Sequence, residues 1–453
     1  MKTRPKGPRG RSAKLILAGT ALTALLASPI AGSAASLSNS QFHIKAENSE
    51  QADDFWAIRP FFEGKPVSTP PPTTTPPTTE PTTPPTSPGT TPAPEPTTPP
   101  VVVPPKPVDP MPTAVAMTIN TALPSCVPGS FKLELRKDRA TATSINWGDG
   151  GGTESVDSSR MISHSYAPGI HKLIIDGELN ALYRSSSPTS EDPIGTTSCI
   201  QSIDHFGSET GLKSLTGLLR NARNVSAVAP IPSTITDLSS MFQGSWFNGD
   251  LSSWDTRNVT NFTSMFQSSR FNGNLSNWNV SKATDFSNMF YSARRFNGDV
   301  STWKPVSGTN FTSMFEAAII FNRDLSGWTM DNALTLDSMF ASAAAFNGNV
   351  GSWNTSKAVT MYRMFSLAVA FDQDLSKWDV SSVGNFNEMF KGASIFNGNI
   401  SGWTTSSAIG MASMFQNATK FNQNLSKWSV GKVLSRSNFN TGSALTNENL
   451  PRF

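Results

Sequence analysis

The stretch Phe247–Phe266 reads FNGDLSSWDTRNVTNFTSMF, and close variants of it recur through the second half of the chain. Its tryptophan returns every 24 or 25 residues, and a Met-Phe pair follows each tryptophan at a constant distance. Self-similarity at a fixed period of this size indicates an array of stacked repeats. The recurring tryptophans are Trp254, Trp278, Trp303, Trp328, Trp353, Trp378, Trp403 and Trp428.

The spacing between the recurring Trp, Met and Phe residues separates a part of each repeat with constant length from a part whose length varies. From each tryptophan to the next Met is always 11 residues, whereas the phenylalanine of the Met-Phe pair precedes the next repeat's phenylalanine by five residues at first and by six later. A change of length is tolerated where the chain leaves a regular element. The segment after the Met-Phe pair is therefore predicted to be a turn.

Two periodicities within the repeat predict its secondary structure. Val259, Phe262, Met265 and Phe266 are spaced so that they would share one face of a short helix, and the segment Phe247–Trp254 reads as a turn and a short strand. One short strand and one short helix in about 25 residues are typical of an α/β solenoid of the leucine-rich-repeat type. We predict that fold for residues 199–436, with residues 437–453 as a C-terminal cap.

One repeat cannot bury its own Phe, Leu, Trp and Met side chains, so neighbouring repeats are expected to stack. The column of tryptophans, locked at constant distance from the Met-Phe pairs, is then predicted to be core. The alternative is an exposed aromatic platform for sugars. Successive parallel strands would lie about 4.8 Å apart, which predicts an elongated array.

These repeats resemble those of the BspA-type leucine-rich-repeat surface proteins of bacteria. The closest matches are Phe247–Phe266 and the segment Phe371–Val383 with the pair Met389-Phe390. The resemblance covers about 200 residues and implies a leucine-rich-repeat fold, display on a surface or secretion, and a role in adhesion or binding of host proteins. A family scaffold does not identify the partner.

Residues 113–198 are predicted to form a small β-domain ahead of the array. Phe131–Leu135 and Lys172–Ile175 read as strands. The segments Ile145–Gly150, which contains WGDG, and His164–Gly169 resemble the signature of polycystic-kidney-disease-type (PKD) domains, which implies an immunoglobulin-like sandwich. Trp147 is then a core aromatic and Tyr166 leads into the last strand.

Asp149 and His164 also allow a second interpretation, a metal-binding or acid–base pair, although turn and core roles are favoured for them. Cys126 and Cys199 are the only two cysteines. In an exported chain we predict that they pair in a disulfide, with two buried thiols as the alternative. Their spacing matches no metal-binding or thioredoxin pattern.

The N-terminal region predicts export. Residues 1–35 combine a basic start, the apolar run Leu15–Ala27 and small residues at 31–35, which is typical of a signal peptide. Its removal changes the formal charge from +3 to −3, and no transmembrane segment is expected afterwards. Residues 36–65 are unassigned, and residues 66–112, rich in Pro and Thr, predict a disordered, semi-rigid linker.

Each repeat carries two Asn or Asp residues separated by one residue, which would form two polar ladders in a stack. The pairs are Asn248/Asp250, Asn272/Asn274, Asn297/Asp299, Asn322/Asp324, Asn347/Asn349, Asp372/Asp374, Asn397/Asn399 and Asn422/Asn424. Calcium sites are one interpretation. Because most members are neutral amides, hydrogen bonds that cap turns are the favoured one.

No catalytic, metal-binding or cofactor-binding residues are predicted. The only histidines are His43, His164, His171 and His205, none of them in the array, and no phosphate loop or nucleophile elbow occurs. We therefore expect no enzyme activity and no cofactor. The low charge and the absence of a basic cluster by sequence also argue against nucleic acid.

Three functional hypotheses remain from the sequence. The first is an adhesin-like protein, secreted or held at the cell surface without a covalent anchor, that binds a host or neighbouring-cell protein through variable positions. The second is a structural envelope or matrix component that associates with itself, and the third is glycan binding. The variable positions after each tryptophan include Arg257, Lys282, Lys304, Met330, Lys357 and Ser382.

Overall fold

The architecture is described from a computed structural model, which covers residues 113–126, 131–137, 142–183, 197–208 and 210–453. The predicted signal peptide at 1–35, the segment 36–65 and the linker 66–112 lie outside these residues. The described residues all belong to one compact unit.

Short β-strands come first along the described chain. They are β1 Val115–Asn120, β2 Phe131–Arg136, β3 Thr143–Asn146, β4 Thr153–Val156, β5 Arg160–His164, β6 Ile170–Gly177, β7 Ala181–Tyr183, β8 Ile200–Phe206 and β9 Ala227–Val228. One sheet has the order β4-β3-β6-β1-β8-β9 and the other has the order β5-β2-β7. Single turns of 3₁₀ helix occupy Thr197–Cys199 and Asn447–Asn449.

The strands form where apolar and polar residues alternate. In β2, Phe131, Leu133 and Leu135 are buried while the residues between them are not. Side chains along a strand point alternately to its two faces, so this pattern turns one face of the sheet toward a core. Trp147, directly after β3, is buried in the same core.

A disulfide joins the loop after β1 to the start of β8. Cys126 and Cys199 are bonded, with their Cα atoms 4.7 Å apart. Closing a loop of this size contributes on the order of 4 kcal/mol by the chain-entropy model. β8 follows at once, pairs antiparallel with β1 and pairs parallel with β9. The predicted boundary at residue 198 thus lies directly before a strand that belongs to the larger sheet.

The prediction of an α/β solenoid is wrong. No α-helix occurs in the residues that the structure describes, and the array contains no strand of the predicted kind at Phe247–Trp254. Successive repeats are joined instead by isolated parallel bridges, one residue per repeat. The bridged residues are Ala181, Ser214, Asp237, Asn261, Asp285, Asn310, Thr335, Thr360, Asn385, Gly410 and Ser435.

Backbone hydrogen bonds between repeats explain why the predicted helix does not form. The N–H groups of Phe262, Ser264 and Phe266 donate to carbonyls of the next repeat, at 2.8–3.0 Å. Ser264 and Ser268 also have φ values of 56° and 55°, in the left-handed region. An α-helix needs consecutive right-handed residues and bonds within its own chain segment. The apolar 3,3,1 spacing comes from consecutive tight turns.

Stacked aromatic columns form the core of the array. The phenylalanines of the Met-Phe pairs lie face to face from one repeat to the next, with ring centroids 5.3–5.7 Å apart from Phe242 to Phe415. All of these rings are buried. Each large apolar side chain removed from water contributes roughly 1.5–3 kcal/mol, so the columns hold the repeats together.

Candidate binding surfaces of the repeat array

The tryptophan column is part of the core. Its eight indoles are between 1 and 4 % exposed, and neighbouring rings stack with centroids 5.8–6.4 Å apart. From Trp278 to Trp428 each Nε1 donates to a carbonyl of the preceding repeat at 2.9–3.1 Å. Trp254, the first of the column, has a buried Nε1 without a protein partner. These buried rings offer no face to a sugar.

The two polar ladders have different roles. Oδ1 of Asn248 accepts from the N–H of Asn272 in the next repeat, and this pattern continues to Asn422 at 2.6–3.0 Å. In the second ladder Oδ1 caps a turn within its own repeat, as Asp250 does for the N–H of Ser252 at 2.8 Å. That N–H lowers the pKa of the Asp250 carboxyl. These oxygens are thus engaged in hydrogen bonds to the backbone.

Asp149 and His164 lie together on the β-domain within an aromatic cluster. Oδ2 of Asp149 is 2.6 Å from Nε2 of His164, and the imidazole stacks on Trp147 with ring centroids 4.6 Å apart. The contact with His164 lowers the pKa of Asp149. The hydroxyl of Tyr166 donates to the Trp147 carbonyl at 3.0 Å, and burial raises its pKa. All four side chains are held by their neighbours in the cluster.

The variable positions after each tryptophan do not form one surface. Met330 is buried and belongs to the core. Arg257 pairs with Asp255 at 2.8 Å. Lys282 and Lys357 each donate to an asparagine of the preceding repeat, and Lys304 donates to the carbonyl of Gly327. Most of these groups are therefore engaged with the array itself.

A row of large apolar side chains is exposed along the C-terminal half of the array. This apolar stripe consists of Leu334, Val359, Ile409 and Leu434, which are 45, 51, 52 and 86 % exposed. Each occupies the position directly before the bridged residue of its repeat. Threonine occupies that position in earlier repeats, and the hydroxyls of Thr236, Thr260, Thr284 and Thr309 donate to carbonyls of the preceding repeat.

A groove of about 410 Å³ follows the apolar stripe. Glycines take the place of larger side chains at Gly384 and Gly410, between Val359 and Leu434. The remaining lining residues are Asn385, Asn387, Ile409 and Ser435, so no charged side chain lines the groove. Its chemistry is apolar with a few amide and hydroxyl groups.

A second surface lies in the segment between each Met-Phe pair and the phenylalanine that follows it, such as Phe247 or Phe271. Here Trp246 lies between Arg223 of the preceding repeat and Arg270 of the next, whose Cζ atoms are 5.0 and 3.5 Å from its ring centroid. The following repeat carries Arg294 and Arg295 in the same segment. We call these five residues the arginine ridge.

The repeat array matches the model of one known protein family. The family described as "Mycoplasma protein of unknown function, DUF285" matches residues 222–328, 295–378 and 335–453, together just over half of the chain. The chain belongs to the DUF285 family. Its matches overlap along the array, as expected for a repeat protein. No curated protein and no solved structure matches the chain.

Among the described residues there is no helix long and apolar enough to cross a membrane. In the same part of the chain no three His, Cys, Asp or Glu side chains are grouped closely enough to hold a metal ion. The candidate binding surfaces of this DUF285 protein are the apolar stripe and the arginine ridge.

Sequence reasoning missed both surfaces, although the sequence contained a signal for each. The apolar stripe is visible once Thr260 is aligned with Leu334 and Val359 of later repeats. The ridge lies in the segment of variable length between the Met-Phe pair and the next phenylalanine. Arg294 and Arg295 stand in the first repeat in which these two phenylalanines are six positions apart and not five. The predictions were made from the positions that are constant between repeats, whereas both surfaces lie at positions that vary.

Proposed function

We propose that the protein is an exported, adhesin-like protein that binds a protein partner through the apolar stripe and its groove. The observation that carries this proposal is the exposure of Leu334, Val359, Ile409 and Leu434 in one column, beside a groove without charged residues. Exposed apolar side chains that adjoin one another mark sites of interaction with proteins. The proposed function is binding and not catalysis.

The chemistry of the stripe favours a protein over a charged polymer. A partner that covered Val359 and Ile409 would gain the burial of about half of each side chain, roughly 1 kcal/mol apiece. Asn385 and Asn387 at the groove supply amides for a few directional hydrogen bonds. An apolar centre with polar groups around it is the usual composition of a protein interface.

Export and the finer family assignments belong to the same proposal. The basic and apolar segments of residues 1–35 support a signal peptide. The disulfide between Cys126 and Cys199 suits an oxidising compartment. We also propose that the β-domain is PKD-like. Its two sheets enclose Trp147, and the hydroxyl of Tyr166 donates a hydrogen bond to the Trp147 carbonyl. The resemblance to BspA-type surface proteins supports adhesion.

The experiment is a binding comparison between variants in the two halves of the array. The double variant Val359→Ser/Ile409→Ser removes the centre of the stripe at exposed positions, so it is expected to fold. Thr260→Ser/Thr284→Ser changes the same column where it is polar and is the control. Surface plasmon resonance on a panel of immobilised extracellular-matrix proteins should show at least tenfold weaker binding for the first variant only.

Equal binding by both variants and the unchanged protein would contradict the proposal, as would binding to no member of the panel. The alternative is a structural component that associates with itself, and the 86 % exposure of Leu434 on the last repeat favours it. Sedimentation velocity separates the two. Concentration-dependent association that is lost in Val359→Ser/Ile409→Ser, without binding to any matrix protein, would replace adhesion by self-assembly.

A further inference from the structure

The arginines of the ridge have no carboxylate partner among the described residues. Arg223, Arg270, Arg294 and Arg295 make no ion pair and no side-chain hydrogen bond with any described residue. Arg257 and Arg363 of the same array, by contrast, each approach a carboxylate. Unpaired guanidinium groups keep their N–H donors free for an outside anion.

The backbone fixes the ridge in register. The N–H of Trp246 donates to Ala222, directly before Arg223, and the N–H of Arg270 donates to Ser245, directly before Trp246, both at 2.9 Å. Arg223, Trp246 and Arg270 therefore stand at successive levels of the stack. The indole between the two guanidinium groups attracts both by cation–π interaction. A cation that is held in place before binding loses less conformational freedom when an anion arrives.

We propose that the arginine ridge binds an acidic polysaccharide, a linear sugar chain that carries sulfate or carboxylate groups at short intervals. The ridge spans four successive repeats about 5 Å apart and supplies cations on three of them, with Trp246 on the remaining one. Guanidinium groups bind such oxyanions with paired N–H donors. A linear polymer with one anion or more per sugar can contact these arginines in turn.

Other polyanions fit the ridge less well. Single-stranded nucleic acid binds by stacking its bases on aromatic faces. The one aromatic ring of the ridge has arginines on its two sides, which leaves no face for a base. Beyond Arg295 the corresponding segment holds Ile319 and Ile320, so the row of cations ends there.

The test compares full-length variants that remove the same charge from different faces. Arg223→Gln/Arg270→Gln removes two cations from the ridge, and Arg257→Gln/Lys282→Gln removes two cations elsewhere. Heparin is the sulfated probe, polygalacturonate the carboxylated one, and poly-glutamate the control polymer without sugar. Titration calorimetry should show at least tenfold weaker binding of one or both glycans for the ridge variant and less than a twofold change for the control.

Trp246 is a positioning residue in this proposal, and the salt dependence tests that role. Arg223→Gln/Arg270→Gln should reduce the slope of log affinity against log salt, because fewer counterions are released. Trp246→Leu should weaken glycan binding about threefold with the slope unchanged, since the cations remain, and Trp246→Phe should restore most of the affinity. Thermal unfolding of each variant checks that the fold is intact.

Three results would overturn the proposal. Neither glycan binds the unchanged protein; or both double variants lose affinity equally, which shows net charge and not the ridge; or poly-glutamate binds as tightly as the glycans. A difference between heparin and polygalacturonate identifies sulfate or carboxylate as the preferred group. None of these results bears on the apolar stripe, which lies in a different column and in later repeats.

Discussion

The two halves of the array have the same interior and different exteriors. Phenylalanine and tryptophan columns run unbroken from Phe242 to Trp428, with nearly constant ring spacing. On the outside, the position before the bridged residue is threonine in the first half and mostly Leu, Val or Ile in the second. The segment between the Met-Phe pair and the next phenylalanine also changes, from Arg294 and Arg295 to Ile319 and Ile320 in the following repeat.

This difference separates the residues that determine the fold from the residues that are free to vary. Every core position must match the repeat above and the repeat below, so a change there disturbs two interfaces. An outer position meets solvent and tolerates change without loss of stacking. The columns that do not vary therefore determine the fold, and we propose that a partner would contact the columns that vary between the halves.

The largest expected effect tests whether the interiors are equivalent. The ring centroids of Phe340 and Phe346 are 3.9 Å apart, and Phe340 also stacks on Phe315 and Phe365. Phe266 stacks in the same way on the equivalent residues Phe271, Phe242 and Phe290. Either phenylalanine replaced by alanine should cost about 3–5 kcal/mol of unfolding free energy, from lost burial and the cavity left behind. Urea denaturation of Phe266→Ala and Phe340→Ala measures it.

A nearly unchanged unfolding free energy in one of these variants would contradict the equivalence of the two interiors. A cost that differs by more than twofold between Phe266→Ala and Phe340→Ala would show that one half is packed more loosely. Val359→Ser is the surface control, and its unfolding free energy should change by about 0.5 kcal/mol or less.

A smaller effect concerns the end of the tryptophan column. Trp353→Phe removes the Nε1 donor to the Leu325 carbonyl, whereas Trp254→Phe removes an Nε1 that has no protein partner. Both changes remove the same volume. Trp353→Phe should therefore be the more destabilising of the two by about 1 kcal/mol, the net value of a buried hydrogen bond.

Thermal or urea unfolding of the two tryptophan variants gives the difference directly. If Trp254→Phe is the more costly variant, the first repeat is held differently from the rest. Tyr is an uninformative replacement at these sites because its hydroxyl would introduce a new polar group into the core.

The sequence predicted the repeats and their contents better than their backbone. Fixed spacing located the columns, and the alternation around Phe131 located β2, since both patterns follow directly from burial. The backbone of the repeat was predicted wrongly. The spacing of Val259, Phe262 and Met265 is shared by a helix face and by consecutive turns, and only the partners of the N–H groups distinguish them.

The candidate surfaces were missed for a related reason. Met330 was expected outside and is buried, while Leu334, four residues later, is exposed. Both are large apolar residues after a tryptophan, so composition cannot separate them. Arg223, Trp246 and Arg270 are distant in sequence, and their proximity depends on the register between repeats. The bridges Ser214–Asp237 and Asp237–Asn261 set that register.

Each repeat is built from turns with left-handed residues and not from a helix. Ala317 offers the most direct test of this backbone structure. Its φ of 57° places an L-residue with a side chain in the left-handed region, and glycine stands at the corresponding position in other repeats, as at Gly392. Glycine adopts this conformation without the steric cost that alanine bears.

The measurement is the unfolding free energy of Ala317→Gly by urea denaturation. The turn structure predicts an increase of roughly 1 kcal/mol, because relief of the left-handed strain exceeds the added entropy of the unfolded chain. In a helix the same change would lower stability by about 1 kcal/mol. A decrease of that size would contradict the account.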